Sequence, residues 1–178
     1  MSGTADLGPE PSDGPGPSTT PKPSGARAGT ILPVMSYVVD TSVALKWYIP
    51  EAGSAEARLY MSPGIDRHAP DLLPLEGAHA LLKRARSGDP AVRMAIEDAL
   101  MVAEALRDGA PIRYHSCWPL LAPALSLAAE IGASVYDGLF LALAIRQGSR
   151  VVTADGKFRD KIESSGYASH VRWFMETP

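Results

Sequence analysis

The stretch SYVVDTSVALKW, residues 36–47, decides how the rest of the chain is read. Tyr37, Val38 and Val39 form a short, apolar, β-prone run that predicts a buried strand. The run stops at Asp40. Thr41 and Ser42 are then placed to cap a helix whose apolar face begins with Ala44, Leu45 and Trp47. This puts a carboxylate at the C-terminal end of a strand, where the chain turns into a helix. In open α/β sheets that edge is where ligands bind. A functional Asp40 calls for partners from later elements, and Glu76, Asp137 and Asp155 are the candidates.

Upstream of this stretch, residues 1–34 hold seven of the sixteen prolines and six of the sixteen glycines. Such a segment buries too little apolar surface to offset its ordering entropy, which predicts a disordered tail before a single domain over 35–178. Downstream, residues 51–61 suit a second helix, ended by Ser62-Pro63-Gly64, and 65–69 a short strand. Pro70-Asp71 opens a helix running to about Arg86, and a long amphipathic helix over 91–107 follows the Gly88-Asp89-Pro90 turn. Residues 112–115 read as a strand and 119–131 as a helix closed by Gly132. Ser134 and Asp137 have capping-box spacing before LFLALAI, apolar on every side and therefore a buried helix. A strand at 150–153, a helix near 158–164 and a strand at 171–174 complete the pattern. Strands alternating with helices predict an α/β fold with a mostly parallel sheet.

The chain has 178 residues, 46% of them hydrophobic, and a formal net charge of −3. A negative balance argues against passive phosphate binding through a basic surface, so a nucleic-acid function needs local basic patches or bound cations. Cys117 is the only cysteine, which excludes an internal disulfide and suits a reducing compartment. No leader pattern and no apolar run of membrane-spanning length occurs, so the expectation is a soluble, cytoplasmic protein with no membrane partner.

Each acid alone has an ordinary explanation. Asp137 can be the third residue of a capping box, Glu76 a solvated helix position, Asp40 and Asp155 cap or turn residues. Together these readings weaken, because Asp40 and Asp155 share one context, a β-prone run followed by a helix. Parallel, neighbouring strands would bring both to one rim of the sheet. Clustered carboxylates repel: two charges 4 Å apart interact by about 4 kcal/mol at an effective dielectric near 20. Hard divalent cations relieve this, and Mg²⁺ or Mn²⁺ suits an all-oxygen site. Such a site can activate water and neutralise the charge developing on a phosphodiester.

The four blocks VVDTSVALKW, PDLLPLEGAHALL, SVYDGLFLALA and VVTADGKF resemble, in order, the acidic blocks of the PIN domain. They look most like those of the VapC-type toxin ribonucleases of toxin–antitoxin pairs, and the resemblance covers residues 36–175. It implies a three-layer sandwich with a central, mostly parallel sheet of about five strands flanked by helices. It also implies a Mg²⁺- or Mn²⁺-dependent endoribonuclease acting on RNA, a cognate antitoxin protein and a homodimer. By the same resemblance Asp40, Glu76, Asp137 and Asp155 are the metal-binding and catalytic acids, with Ser42 and Thr153 as supporting hydroxyls. His79 stands where many relatives carry Asn, and Gly156 follows Asp155 where a basic or polar residue is common. The alternatives are a stand-alone RNA-processing PIN nuclease and a non-catalytic interaction module with the same shape.

Lys46, Lys83, Arg84, Arg86, Lys157, Arg159 and Lys161 offer a basic track, and Trp47, Tyr136 and Trp173 offer aromatic faces. Solvated helix faces and core packing are the ordinary readings of both sets.

Overall fold

The computed structural model describes residues 35–178; the segment 1–34, read above as a disordered tail, lies outside the described residues. Five strands form one sheet in the order β3-β2-β1-β4-β5. They are β1 (Met35–Val39), β2 (Ile65–Pro70), β3 (Arg113–His115), β4 (Arg150–Thr153) and β5 (Val171–Trp173). Every pairing is parallel. The sheet is thus wholly parallel, with helices between its strands.

Chain direction makes the middle of this sheet special. From β1 the chain builds outward through β2 to β3, then returns to lay β4 against the other side of β1. Val39 pairs with Val152, and the Asp40 amide donates to the Val152 carbonyl at 3.0 Å. The switch in direction therefore falls between β1 and β4, whose C-terminal ends open a crevice. Asp40 follows one of those ends and Asp155 the other.

Among the described residues seven α-helices surround the sheet: α1 (Thr41–Tyr48), α2 (Ser54–Leu59), α3 (Leu73–Ala85), α4 (Ile96–Glu104), α5 (Leu121–Ile131), α6 (Val135–Gln147) and α7 (Gly156–Glu163). The core joins Val38, Val39, Val151 and Val152 from the central strands to Val43, Leu73, Leu81, Leu106 and the 139–144 run of α6. That run is buried throughout, which is why its sequence shows no polar face. Among the described residues no single helix is long and apolar enough to cross a membrane.

Helix ends depart from the sequence reading where side chains override periodicity. α4 starts at Ile96 rather than 91, because Asp89 folds the preceding residues into a turn. Its Oδ1 accepts from the Ala91 amide at 2.9 Å and its carbonyl from Arg93 at 2.9 Å. Beyond Glu104 the chain continues as a π-helical turn, Ala105–Gly109. α2 starts at Ser54 because Gly53 holds φ +80°, and a Cβ there would lie 2.6 Å from the Phe174 ring. Pro70 belongs to β2, so α3 begins later, at Leu73. α7 begins earlier than expected, since Asp155 caps it, accepting from Lys157 and Phe158 amides at 2.8 and 3.1 Å.

Two glycines seat the acid-bearing helices. A Cβ on Gly138 would stand 2.4 Å from the Ala124 carbonyl oxygen, so α6 approaches the α5 backbone more closely than any side chain permits. On Gly77 it would meet Leu106 at 2.6 Å. Glu76 and Asp137 each precede one of these contacts.

Candidate active site

One cleft of about 910 Å³ is lined by all four acids, Asp40, Glu76, Asp137 and Asp155. They come from the β1–α1 junction, the first turns of α3 and α6, and the β4–α7 junction. The sequence reading of one shared rim holds, although the acids lie far apart in the chain.

Each carboxylate has one oxygen tied to the protein. Asp40 is buried, and its Oδ2 accepts from Ser42 Oγ at 2.6 Å and Thr153 Oγ1 at 2.5 Å. Glu76 Oε2 accepts from Thr41 Oγ1 at 2.7 Å. Asp137 Oδ2 accepts from the Ser134 amide at 3.2 Å, while Ser134 Oγ accepts from the Asp137 amide, so the capping box is complete. Asp155 Oδ1 caps α7. The second oxygen of each acid is engaged by no protein donor among the described residues. Capping and a place in the cleft are thus compatible at Asp137 and Asp155, where the sequence left them as competing readings.

The hydroxyls correct one expectation. Asp40, not Thr41 or Ser42, occupies the N-cap position of α1, and no side chain caps it. Thr41 and Ser42 instead donate to carboxylates. Ser42 Oγ also accepts from the Ala154 amide at 3.0 Å, and Thr153 Oγ1 from the Asp155 amide at 2.9 Å. Asp40 is thereby locked to the β4–α7 junction. The sequence names Thr41 only as a helix cap and not as a site residue; a hydroxyl directly after a strand-end acid is the only local signal.

Burial raises the Asp40 pKa despite the Ser42 and Thr153 hydrogen bonds, and Asp137 and Asp155 add to the rise. Glu76 is pushed up to about 7, chiefly by burial, which outweighs the Thr41 hydrogen bond, and Asp40 and Asp137 add to the rise. These charges face one another with neutral partners, an arrangement that a divalent cation would stabilise. The donor set is all oxygen, which fits Mg²⁺ or Mn²⁺. Among the described residues no three His, Cys, Asp or Glu side chains are grouped tightly enough to enclose an ion directly.

A pH dependence follows. Glu76 has a higher pKa folded than unfolded, so its stabilising contribution is full below the ordinary value of 4.5 and is lost as pH rises through about 7. In EDTA, thermal melts should show Glu76→Gln gaining stability over the native protein as pH rises across that window. A constant difference from pH 4 to 8 would contradict it.

His79 is exposed and lines the same cleft. Of the aromatic faces, Trp47 is buried and Trp173 lies under Arg159 at 4.6 Å. Tyr136 instead is 57% exposed and lines the cleft beside Asp137, so core packing does not account for it. Lys46, Lys83 and Arg84 also line the cleft. Arg159 is paired with Asp160 and Glu163. The four histidines, which form no motif in sequence, include one contact: His68 and His115 share a hydrogen bond of 2.9 Å across β2 and β3.

A parallel sheet with acids converging at its switch point defines the class. Residues 37–163 match the PIN domain family model, and the chain belongs to that family. It is 32% identical over 127 residues to Ribonuclease VapC3 of Pyrobaculum aerophilum, covering 71% of this chain and 95% of that one. A protein of solved structure, PAE2754 from Pyrobaculum aerophilum, shares the fold with a TM-score of 0.51 and 22% identity. That match covers 78% of this chain and 83% of the other.

Proposed function

We propose that this protein is a Mg²⁺- or Mn²⁺-dependent endoribonuclease and the toxin of a toxin–antitoxin pair. One observation carries the reading: four acids line one cleft, each with one oxygen anchored and one left open. A scaffold kept only for docking has no need of that arrangement, so the intact set favours the nuclease over an interaction module. The likeness to Ribonuclease VapC3, a ribonuclease by name, supports RNA as substrate.

Asp40, Glu76, Asp137 and Asp155 would hold the ion. When bound, Mg²⁺ or Mn²⁺ supplies Lewis acidity, favouring attack by water and offsetting the charge that grows on the phosphodiester. Ser42 and Thr153 fix Asp40 Oδ2, so Asp40 cannot rotate away as a strand of RNA enters. Thr41 does the same for Glu76. Water attacks the phosphorus, the RNA 3′ oxygen leaves, and the product carries a 5′ phosphate. Tyr136 offers a base-stacking face at the mouth of the cleft.

Cytoplasmic location, a cognate antitoxin that blocks the acidic cleft, and a homodimer complete the proposal. Exposed Trp118, Leu121 and Leu125, at helical spacing, give self-association an apolar surface. In the decisive experiment, purified protein is mixed with single-stranded RNA and Mn²⁺ or Mg²⁺. Cleavage should require the metal, stop in EDTA and leave 5′-phosphate ends. Equal cleavage in EDTA, or none at millimolar metal, would defeat the reading.

A further inference from the structure

The cleft has a second end with the opposite charge. Lys46 projects from α1, Glu51 from the α1–α2 connection, and Lys83 and Arg84 from the last turn of α3, and all four line the cleft. Glu51 joins two of the cations. Its Oε1 accepts from Lys46 Nζ at 2.7 Å and its Oε2 from Arg84 Nη2. Both partners hold the Glu51 pKa low against the effect of burial, so the bridge is ionised.

Glu51 is itself fixed. Its amide donates to Ser54 Oγ at 3.0 Å, its carbonyl accepts from the Ser54 amide at 3.1 Å, and Ser54 Oγ donates to the Ile49 carbonyl at 2.9 Å. Lys46 donates a second bond to the Ala52 carbonyl at 2.9 Å and lies 5.5 Å from the Phe174 ring centre.

An ordinary salt bridge between elements would account for one cation on one carboxylate. Here two cations share one carboxylate and Lys83 lines the same cleft, so these four side chains together carry a net positive charge. Arg84 spends only Nη2 on Glu51 and has further N–H groups to give. Its side chain is 27% exposed and lines the cleft. A cleft with carboxylates at one end and held, unsaturated cations at the other matches a polyanion whose reacting phosphate sits among the acids.

We propose that Lys46, Lys83 and Arg84 form a phosphate subsite, organised by Glu51, for a backbone phosphate of the RNA strand next to the one cleaved. The subsite rests on the nuclease reading above. Arg84 is the principal contact. Glu51 is a positioning residue, which keeps two flexible side chains in place before RNA arrives and so lowers the ordering cost of binding.

Steady-state cleavage of a single-stranded RNA in Mn²⁺ tests this, with the salt dependence of KM and thermal melts recorded for every variant. Arg84→Gln should raise KM by about tenfold with kcat within about twofold, and should reduce the salt slope by roughly one. Arg93→Gln, at an exposed arginine outside the cleft lining, should change neither. Glu51→Gln should raise KM several-fold even though it adds positive charge, because an amide oxygen cannot hold both cations. Tighter binding by Glu51→Gln would show that Glu51 acts only by repelling RNA and would overturn its role. If the native protein cleaves RNA and Arg84→Gln keeps KM and salt slope, the subsite fails while the nuclease reading stands. If the native protein does not cleave RNA, both fall.

Discussion

Asp40→Asn should abolish metal-dependent RNA cleavage and, at the same time, make the metal-free protein more stable. Asp40 is 8% exposed, its donors are the neutral hydroxyls of Ser42 and Thr153, and the charges of Asp137 and Asp155 act against its ionisation. Its pKa is raised in the fold, so above that value the native protein holds a charge where charge is disfavoured. Asparagine keeps the shape and removes the charge, and both hydroxyls can turn to meet an amide. The gain in stability should be present at pH 8 in EDTA and vanish well below the ordinary value of 3.8. Saturating Mn²⁺ should reverse the order, since a ligand bound only by the native state stabilises it by RT ln(1 + [L]/Kd). Loss of an acid that holds the ion should cost at least about 10²–10³ in rate, enough to remove detectable cleavage. Initial rates and melts on the same preparations measure both effects. Undiminished cleavage would remove Asp40 from the chemistry.

Gly138→Ala is the second large effect, and it acts through packing. The added methyl would stand 2.4 Å from the Ala124 carbonyl oxygen, 3.1 Å from its carbon and 3.2 Å from the Ala128 methyl. Two of these are backbone atoms, which cannot swing aside as a long side chain can. α5 and α6 must separate, and overpacking of this kind costs about 1–3 kcal/mol, a fall in Tm of roughly 3–10 °C for a domain this size. Because Asp137 is the preceding residue, activity at permissive temperature should fall as well. Gly156→Ala provides the control, since nothing lies within 4 Å of a Cβ there. Equal Tm values for the two variants would show that the helix pair yields more easily than the geometry implies.

Much of this was legible in the chain because the signals were local. The valines of β1 and β4 stop abruptly at Asp40 and just before Asp155, and the buried 139–144 run of α6 reads as an unbroken apolar LFLALA. Ser134 and Asp137 carry their capping box in their spacing. What escaped was decided by hydrogen-bond partners that spacing alone does not reveal, some near and some far along the chain. Thr41 and Ser42 have the chemistry of helix caps, but Glu76 and Asp40 claim their hydroxyls. Residues 91–95 have helical periodicity, yet Asp89 offers their amides a competing turn. Glu51 looked like one residue of an amphipathic segment, and only the meeting of α1 with α3 shows what it holds. Tyr136 could not be told from a core aromatic, since exposure is a property of the folded surface.

The adjacency of β1 and β4 bears on how a cell can make this protein safely. Thr153 closes the site by bonding to Asp40, 113 positions earlier. As the ribosome works along the message, β1, β2 and β3 emerge in order and can pair, yet one wall of the cleft does not exist until β4 is threaded beside β1. A product cut short before that point carries three of the four acids and lacks both Asp155 and the hydroxyl that steadies Asp40. On the nuclease reading, abortive translation yields inert fragments, and the enzyme is armed only once synthesis has passed its fourth strand.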